Sequence, residues 1–265
     1  MALNGLIYDL IVIGESQEGL DLIKELYKLN SELKILLISS TVSKQVKGVE
    51  AIERTVVDAQ YSYGVAVAII SYTEAYLAKN LVFATGQIAT KLMNEPDNNV
   101  YYNVKAIKKG AKNVVVFGNN ANTINEAISI SRKADKVFIC EESNSLAQLV
   151  EKQIEPRYDN ISYLPMSKIQ SYEYDVDGKL NKVYLSTLAE LPCDALYVSL
   201  GKKPDTATFS SRMLKLDEEG YIIVENGLIP GVDNVYAIGK CTKYNVKNTE
   251  KTLESLKNKF KKENK

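Results

Sequence analysis

The sequence contains no histidine and no tryptophan. Without histidine there is no imidazole general base, no Ser-His-Asp or Cys-His arrangement and no histidine-built zinc site. Any chemistry must come from carboxylates, lysines, tyrosines or a bound cofactor. Cysteine is scarce: Cys140, Cys193 and Cys241 are odd in number and far apart. That spacing excludes a C-x-x-C redox or metal pair and reads as three small core side chains. Charge of one sign is missing as well, because 33 basic and 33 acidic side chains cancel, so no long-range field draws in nucleic acid or an anionic membrane. No apolar run reaches bilayer length, and residues 1–6, MALNGL, are too short and uncharged for a secretory signal. The expectation is a cytoplasmic protein with no nucleic-acid, membrane or metal partner.

What is present is a pair of βαβ patterns in a chain of 265 residues, long enough for one large or two modest domains. In the first, Leu10 to Ile13 is an apolar strand, Gly14 to Gly19 a turn, and Leu22, Ile23, Leu26 and Leu29 one face of a helix; LKILLIS, residues 33–39, is the next strand. In the second, NVVVFG (113–118) is a strand, NNANTINEAISISRKA a turn and helix, and KVFIC (136–140) the following strand. Between the two lie short β-rich segments ending in a buried strand from Leu81 to Ala84. After them come a hairpin signal at Asp177-Gly178, the strand DALYVSLG, a last β portion punctuated at Glu219-Gly220 and Pro230-Gly231, and a closing helix with Leu253, Leu256 and Phe260 on one face. The fold class is α/β, with two Rossmann-like domains, the second inserted into the first.

The order of these signals carries a resemblance. A first G-x-x-x-x-G turn, then LVFATG, VVVFGNNANTINEA, SLGKKPDTATF, LDEEGYIIVE and IPGVDNVYAIGK together resemble the thioredoxin reductases of the pyridine nucleotide-disulfide oxidoreductase family, over nearly the whole chain. The resemblance implies an FAD domain built from residues 1–105 plus 200–265 and an inserted NAD(P)-type domain at 106–199. It also implies a homodimer, and hydride transfer from nicotinamide to flavin followed by reduction of a C-x-x-C disulfide.

The departures bear on that activity. Counting back from Gly118, the redox cysteines of the family fall on Tyr101 to Val104, YYNV, which cannot exchange disulfides. In the first turn Gly14 and Gly19 remain, but Ser16 puts a β-carbon where backbone approaches a pyrophosphate, and Ser39 stands where an acidic residue would grip the ribose. Thr85 and Gly86 of the ATG segment either contact an adenine nucleotide or simply close a strand. The Gly-Asp of the family near the C-terminus is Gly239-Lys240, and the stretch from Ser40 to Thr85 is short where relatives contact the isoalloxazine. In the inserted domain Gly118 is kept, while Asn120 and Thr123 take the second-glycine and small-residue positions. Glu141 either accepts from a ribose 2′-hydroxyl, favouring NAD(H) over a 2′-phosphate, or is a solvated strand end.

These residues lead to two expectations. One is a chain that has lost disulfide reduction and tight FAD binding, a non-catalytic dimeric scaffold or a weak binder of an adenine nucleotide, NAD(H), with another protein as a further partner. The alternative is an FAD- and NADH-dependent oxidoreductase acting on a non-disulfide electron acceptor.

Overall fold

The structure is a computed structural model that describes residues 2–209, 213–243 and 245–262. The chain separates into two compact units, one formed by residues up to Ile88 together with those from Lys203 onward, the other by Ala89–Lys202.

In the first unit the chain runs through β1 (Ala2–Ile13), α1 (Gln17–Leu29), β2 (Ile35–Ser39), β3 (Glu50–Glu53), β4 (Asp58–Ser62), β5 (Val65–Ile69) and β6 (Glu74–Phe83). The sheet order is β3-β2-β1-β6-β5-β4; β1, β2, β3 and β6 pair in parallel, and β4 and β5 continue the sheet antiparallel. The segments Leu10–Ile13 of β1, Ile35–Ile38 of β2 and Leu81–Phe83 of β6 are apolar at every position because both faces are covered there. Successive side chains point to opposite sides, so Ile11, Leu36 and Leu81 enter one core while Leu10, Ile35 and Val82 enter the other, beneath α1. The register Ile13↔Ile38 and Ile13↔Phe83 brings the carboxyl ends of β1, β2 and β6 to one edge.

Next come β7 (Gln87–Ala89), β8 (Val100–Tyr101), β9 (Ala111–Gly118), α2 (Ala121–Ser131), β10 (Ala134–Cys140), α3 (Ala147–Gln153), β11 (Ile161–Leu164), β12 (Ile169–Tyr174), β13 (Leu180–Leu185), β14 (Glu190–Pro192) and β15 (Ala195–Ser199). A parallel sheet of order β11-β10-β9-β15-β8 has α2 and α3 on one face, while the antiparallel β12-β13-β14 sheet shares a second core with its other face. Residues 89–105, assigned by the sequence reading to the first domain, belong here: Val100 and Tyr101 pair with Leu196 and Tyr197, and Leu92, Tyr101, Tyr102 and Val104 pack against this unit's cores. The hairpin at Asp177-Gly178 forms with a longer loop than two residues, in which the Asp175 carboxylate accepts from the backbone N–H of Asp177 and Lys179.

The chain returns through β16 (Lys202–Pro204), β17 (Val235–Ala237), which pairs with β6, and α4 (Asn245–Lys262). Leu256 and Phe260 of α4 are fully buried in the α1-side core with Leu253 packed beside them, each large apolar side chain contributing about 1.5–3 kcal/mol. Among the described residues, the last β portion read from sequence forms a strand at its end, β17, and isolated bridges elsewhere, four of them among residues 216–242. Gly220, Asn226, Gly227, Gly231 and Asn234 all take positive φ and interrupt the extended chain every few residues.

Candidate functional site

In the first unit the turn between β1 and α1 is built around Gly14, at φ +97°. A β-carbon placed there would lie 2.5 Å from the Cα of Thr85, so only glycine lets the two backbones meet. Gly19 packs the helix on the strand, since a β-carbon on it would stand 2.7 Å from that of Ala84. Ser16 is the N-cap of α1: its Oγ accepts from the N–H of Gly19 at 3.2 Å, and its own N–H donates to Ala84 O. A helix donor that would serve an anion is thereby taken by the chain itself.

Two residues that the sequence reading passed over lie in the same turn. The Glu15 carboxylate accepts from the N–H and Oγ of Ser43 and, at 2.6 Å, from the N–H of Lys44. Burial works against the charge, but these donors and the Lys44 cation hold the carboxyl below its ordinary range. Glu18, in the first turn of α1, lies against the turn that follows β17: a β-carbon on Gly239, at φ +72°, would be 3.1 Å from the Glu18 carboxyl carbon. Lys240 beside it is exposed. Ser39 is buried at the end of β2, where its carbonyl accepts from Arg54 N–H. Gly86 takes φ +72° with its absent β-carbon 3.4 Å from that of Ser16, and the Thr85 hydroxyl is buried beside the Cys241 thiol, with no stronger hydrogen-bond partner. Thus Gly14, Ser16, Gly19, Thr85, Gly86 and Gly239 do converge on one end of α1. The surprise is that two carboxylates converge there as well, and the signal was visible in the letters G-E-S-Q-E-G.

The equivalent turn of the second unit is closed by its own side chains. Asn120 caps α2, its Oδ1 accepting from Asn122 N–H and its Nδ2 donating to Ser199 O at 2.9 Å. Thr123 is fully buried with its Oγ1 3.0 Å from Ser199 Oγ, which donates to Glu126. Gly118 admits no side chain, because a β-carbon there would meet Thr123 Oγ1 at 2.4 Å and Ser199 O at 2.6 Å. Beyond this turn lies a cavity of about 630 Å³ between the ends of β9, β10 and β15 and the start of β12, lined among others by Gly118, Asn119, Ser143, Leu200 and Tyr172. β10 lies on one side of β9 and β15 on the other, so the cavity sits at the topological switch point, where open parallel sheets bind their ligands.

Glu141 follows β10 but is neither in this cavity nor solvated. It is fully buried, and its carboxylate accepts from the Ser143 and Ser145 hydroxyls, the N–H groups of Ser145 and Leu146, and the hydroxyl of Tyr163. Both sequence readings of Glu141 are therefore revised: its oxygens are occupied by its own loop and by Tyr163 of β11. Burial disfavours the charge, yet the donors outweigh it and hold the carboxyl at about 2.

Tyr101 and Val104, where redox cysteines would fall, are part of the core packing of this unit. The three cysteines are free and buried, and burial pushes the Cys140 and Cys193 thiols up to about 12 and Cys241 to about 11. Native protein is accordingly expected to resist a thiol-alkylating reagent at neutral pH and to take up three equivalents only when denatured. Modification of any cysteine in the folded state, read by intact mass, contradicts this. Among the described residues no cluster of ligating side chains could hold a metal ion, and no helix is long and apolar enough to cross a membrane.

Comparison with known proteins agrees with this architecture. The pattern of the pyridine nucleotide-disulphide oxidoreductase family matches residues 16–258. Thioredoxin reductase of Borreliella burgdorferi is 30% identical over 187 residues, 63% of this chain and 56% of that protein. The peroxisomal monodehydroascorbate reductase 2 of Oryza sativa is 26% identical over 64% of this chain and 40% of its own. The chain thus spans about half the length of these curated relatives. Among solved structures, thioredoxin reductase of Lactococcus lactis superposes with a TM-score of 0.70 at 17% identity, covering 96% of this chain and 98% of that one. That of T. acidophilum gives 0.68 at 20%, covering 95% and 98%. At those identities the likeness speaks for the fold: two Rossmann-like domains, of the kind that hold FAD and NAD(P).

Proposed function

This chain belongs to the pyridine nucleotide-disulphide oxidoreductase family, and from that premise we propose that it binds an adenine dinucleotide of the nicotinamide kind in its inserted unit, does not hold FAD tightly, and does not reduce disulfides. The observation that carries the reading is the cavity of about 630 Å³ at the switch point of the inserted unit, a volume of the size used for cofactors. Gly118 and Asn119 at the carboxyl end of β9, Ser143 after β10 and the lysines at positions 91 and 168 are the groups that would hold the ligand there. A bound nicotinamide supplies hydride chemistry, and the chain's part is to position it.

The first unit fits its family cofactor poorly. The end of α1 that would face a pyrophosphate carries the Glu15 and Glu18 carboxylates, and Ser16 occupies a helix donor. With no flavin and no accessible thiol the chain has no electron carrier, so its role is that of a homodimeric scaffold or sensor in the cytoplasm that reports on a nucleotide. Titrating NADH into purified protein and following nicotinamide fluorescence is expected to give saturable binding with a Kd on the order of 10–100 µM, from a protein without a flavin absorption band. No saturation would sink the reading.

A second reading, an FAD- and NADH-dependent oxidoreductase acting on a non-disulfide acceptor, has one local observation in its favour. The buried Thr85 hydroxyl beside Gly14 has only the weak Cys241 thiol against it, as a group awaiting a ligand would. The name of the rice relative, a monodehydroascorbate reductase, also points to acceptors other than disulfides. Protein that is yellow as purified and bleached by NADH would establish this reading instead.

A further inference from the structure

Strand β5 of the first unit, V-A-V-A-I, is built the wrong way round for a strand with one wet face. Its small residues, Ala66 and Ala68, are fully buried, whereas Val65, Val67 and Ile69 are partly exposed. Its neighbours repeat the inversion. On β4 and β6 it is Ala59 and Ala78 that enter the core, while Leu77 stands partly exposed beside Val67. β1 extends the row with Ile7, which pairs with Leu77 and is 44% exposed. None of the cores formed by the described residues includes Val65, Val67, Ile69, Leu77 or Ile7. An antiparallel sheet with a solvated face ordinarily turns its polar residues to that side; a contiguous aliphatic face marks a surface of interaction.

Strand register fixes the layout of this face. Its middle row runs Gln60, Val67, Leu77, Ile7 across the four strands, and the row on one side of it runs Asp58, Ile69, Ala75. At the other end, two positions along from Leu77 and Ile7, Lys79 and Asp9 neutralise each other at 2.9 Å. The Asp58 carboxylate accepts from the N–H of Ala59. The charges therefore lie at the two ends, and the middle row carries none.

We propose that two copies of the chain associate through this face, sheet against sheet; the inference gives a surface to the homodimer read above and rests on that reading. An acidic or basic partner finds no opposite charge along the middle row. A second copy fits. A two-fold axis along the strands sets Val67 of one copy on Leu77 of the other and Ile69 on Ala75, large against smaller, at the roughly 10 Å spacing of packed sheets. The Lys79–Asp9 pair of each copy then lies over Val65 and Ser62 of the other, so no like charges meet. The chain has no net charge at pH 7 to hold copies apart. Four strands about 4.8 Å apart and about five residues long offer roughly 300 Å² per copy, against the about 800 Å² per partner of a long-lived complex. Association is accordingly weak, with a Kd on the order of 100 µM.

Sedimentation equilibrium of the whole chain between about 5 and 500 µM tests the assignment, with wild-type protein expected to pass from monomer to mostly dimer across that range. Leu77→Lys should weaken the dimer about tenfold, and Val67→Thr, which keeps the shape and the fold but wets the surface, about threefold. Val176→Lys places the same charge on a fully exposed valine of the inserted unit and should leave the dimer within about twofold. Circular dichroism melts of each variant show that the fold is kept. Wild-type protein that stays monomeric at every concentration overturns the face and the homodimer together. A dimer that neither Leu77→Lys nor Val67→Thr weakens, or that Val176→Lys weakens as much, overturns the face and leaves the homodimer standing.

Discussion

Glu141→Ala is expected to destabilise the inserted unit by about 3 kcal/mol, because it removes the buried carboxylate on which five donors converge. The cost is large for a second reason. Leu146, the N-cap of the seven-residue helix α3, makes no side-chain cap of its own, and the Glu141 carboxylate accepts from the N–H groups of Ser145 and Leu146 at that end. Glu141 therefore supplies from a neighbouring strand end both the missing cap and a negative charge at a helix N-terminus. The same geometry fixes a pH dependence. The carboxyl is held at about 2 in the folded protein against an ordinary value of 4.5, so its contribution is complete above the higher value and is lost as pH falls through the lower one. Denaturant titrations between pH 6 and pH 2 should show wild-type protein losing about 2 kcal/mol more than Glu141→Ala over that window. Equal stability of the two proteins at pH 6, with parallel acid profiles, would show the cluster to be incidental.

Glu141 also shows where sequence reading reaches its limit. The letters C-E-E-S-N-S contain two adjacent carboxylates, and motif logic assigns the first to a ribose. Which of the two turns inward depends on Tyr163 of β11, twenty-two positions away, and on a two-turn helix with no apolar periodicity long enough to detect. The doubly covered strands were plain by contrast: Leu10–Ile13, Val114–Phe117 and Ala195–Val198 are apolar throughout because no face of them meets solvent. The closing helix was plain for the complementary reason that Leu253, Leu256 and Phe260 mark a single stripe. Ser16 was legible as a departure from a glycine pattern but not as what it is, a helix cap, since the same hydroxyl reads either as an obstruction or as a donor's partner until Gly19 N–H is placed against it. The stretch between Glu219-Gly220 and β17 reads as β structure because Ile222, Ile223 and Val224 form a short β-branched run between turn signals, and the positive-φ residues Asn226, Gly227, Gly231 and Asn234 break it into bridges.

Glu18→Ala is expected to raise the affinity for FAD by about fivefold, and Glu15→Ala/Glu18→Ala by somewhat more, from a wild-type protein that retains no flavin through purification. The turn retains the backbone plan of a dinucleotide cradle, with Gly14, Gly19, Gly86 and Gly239 each where a β-carbon would collide or a positive φ is needed. On the proposed reading, the obstacle to FAD is therefore electrostatic and steric at a few atoms rather than architectural. A pyrophosphate approaching the end of α1 meets the Glu18 carboxylate beside Gly239 and the Glu15 carboxylate on the far side of the turn; two like charges about 5 Å apart repel by about 3 kcal/mol at an effective dielectric of 20, and by about 1 kcal/mol once solvent screening of half-exposed groups is counted. Glu15 also holds Ser43 and Lys44 in place, so the double variant gains less than twice the effect of Glu18→Ala. Salt separates charge from shape: raising ionic strength should improve FAD binding to wild-type protein and change that of the double variant little, because only the former carries the like charges that ions can screen. Unchanged FAD affinity in Glu18→Ala, at low and high salt alike, would place the obstacle in the short segment before β6 instead of in the turn.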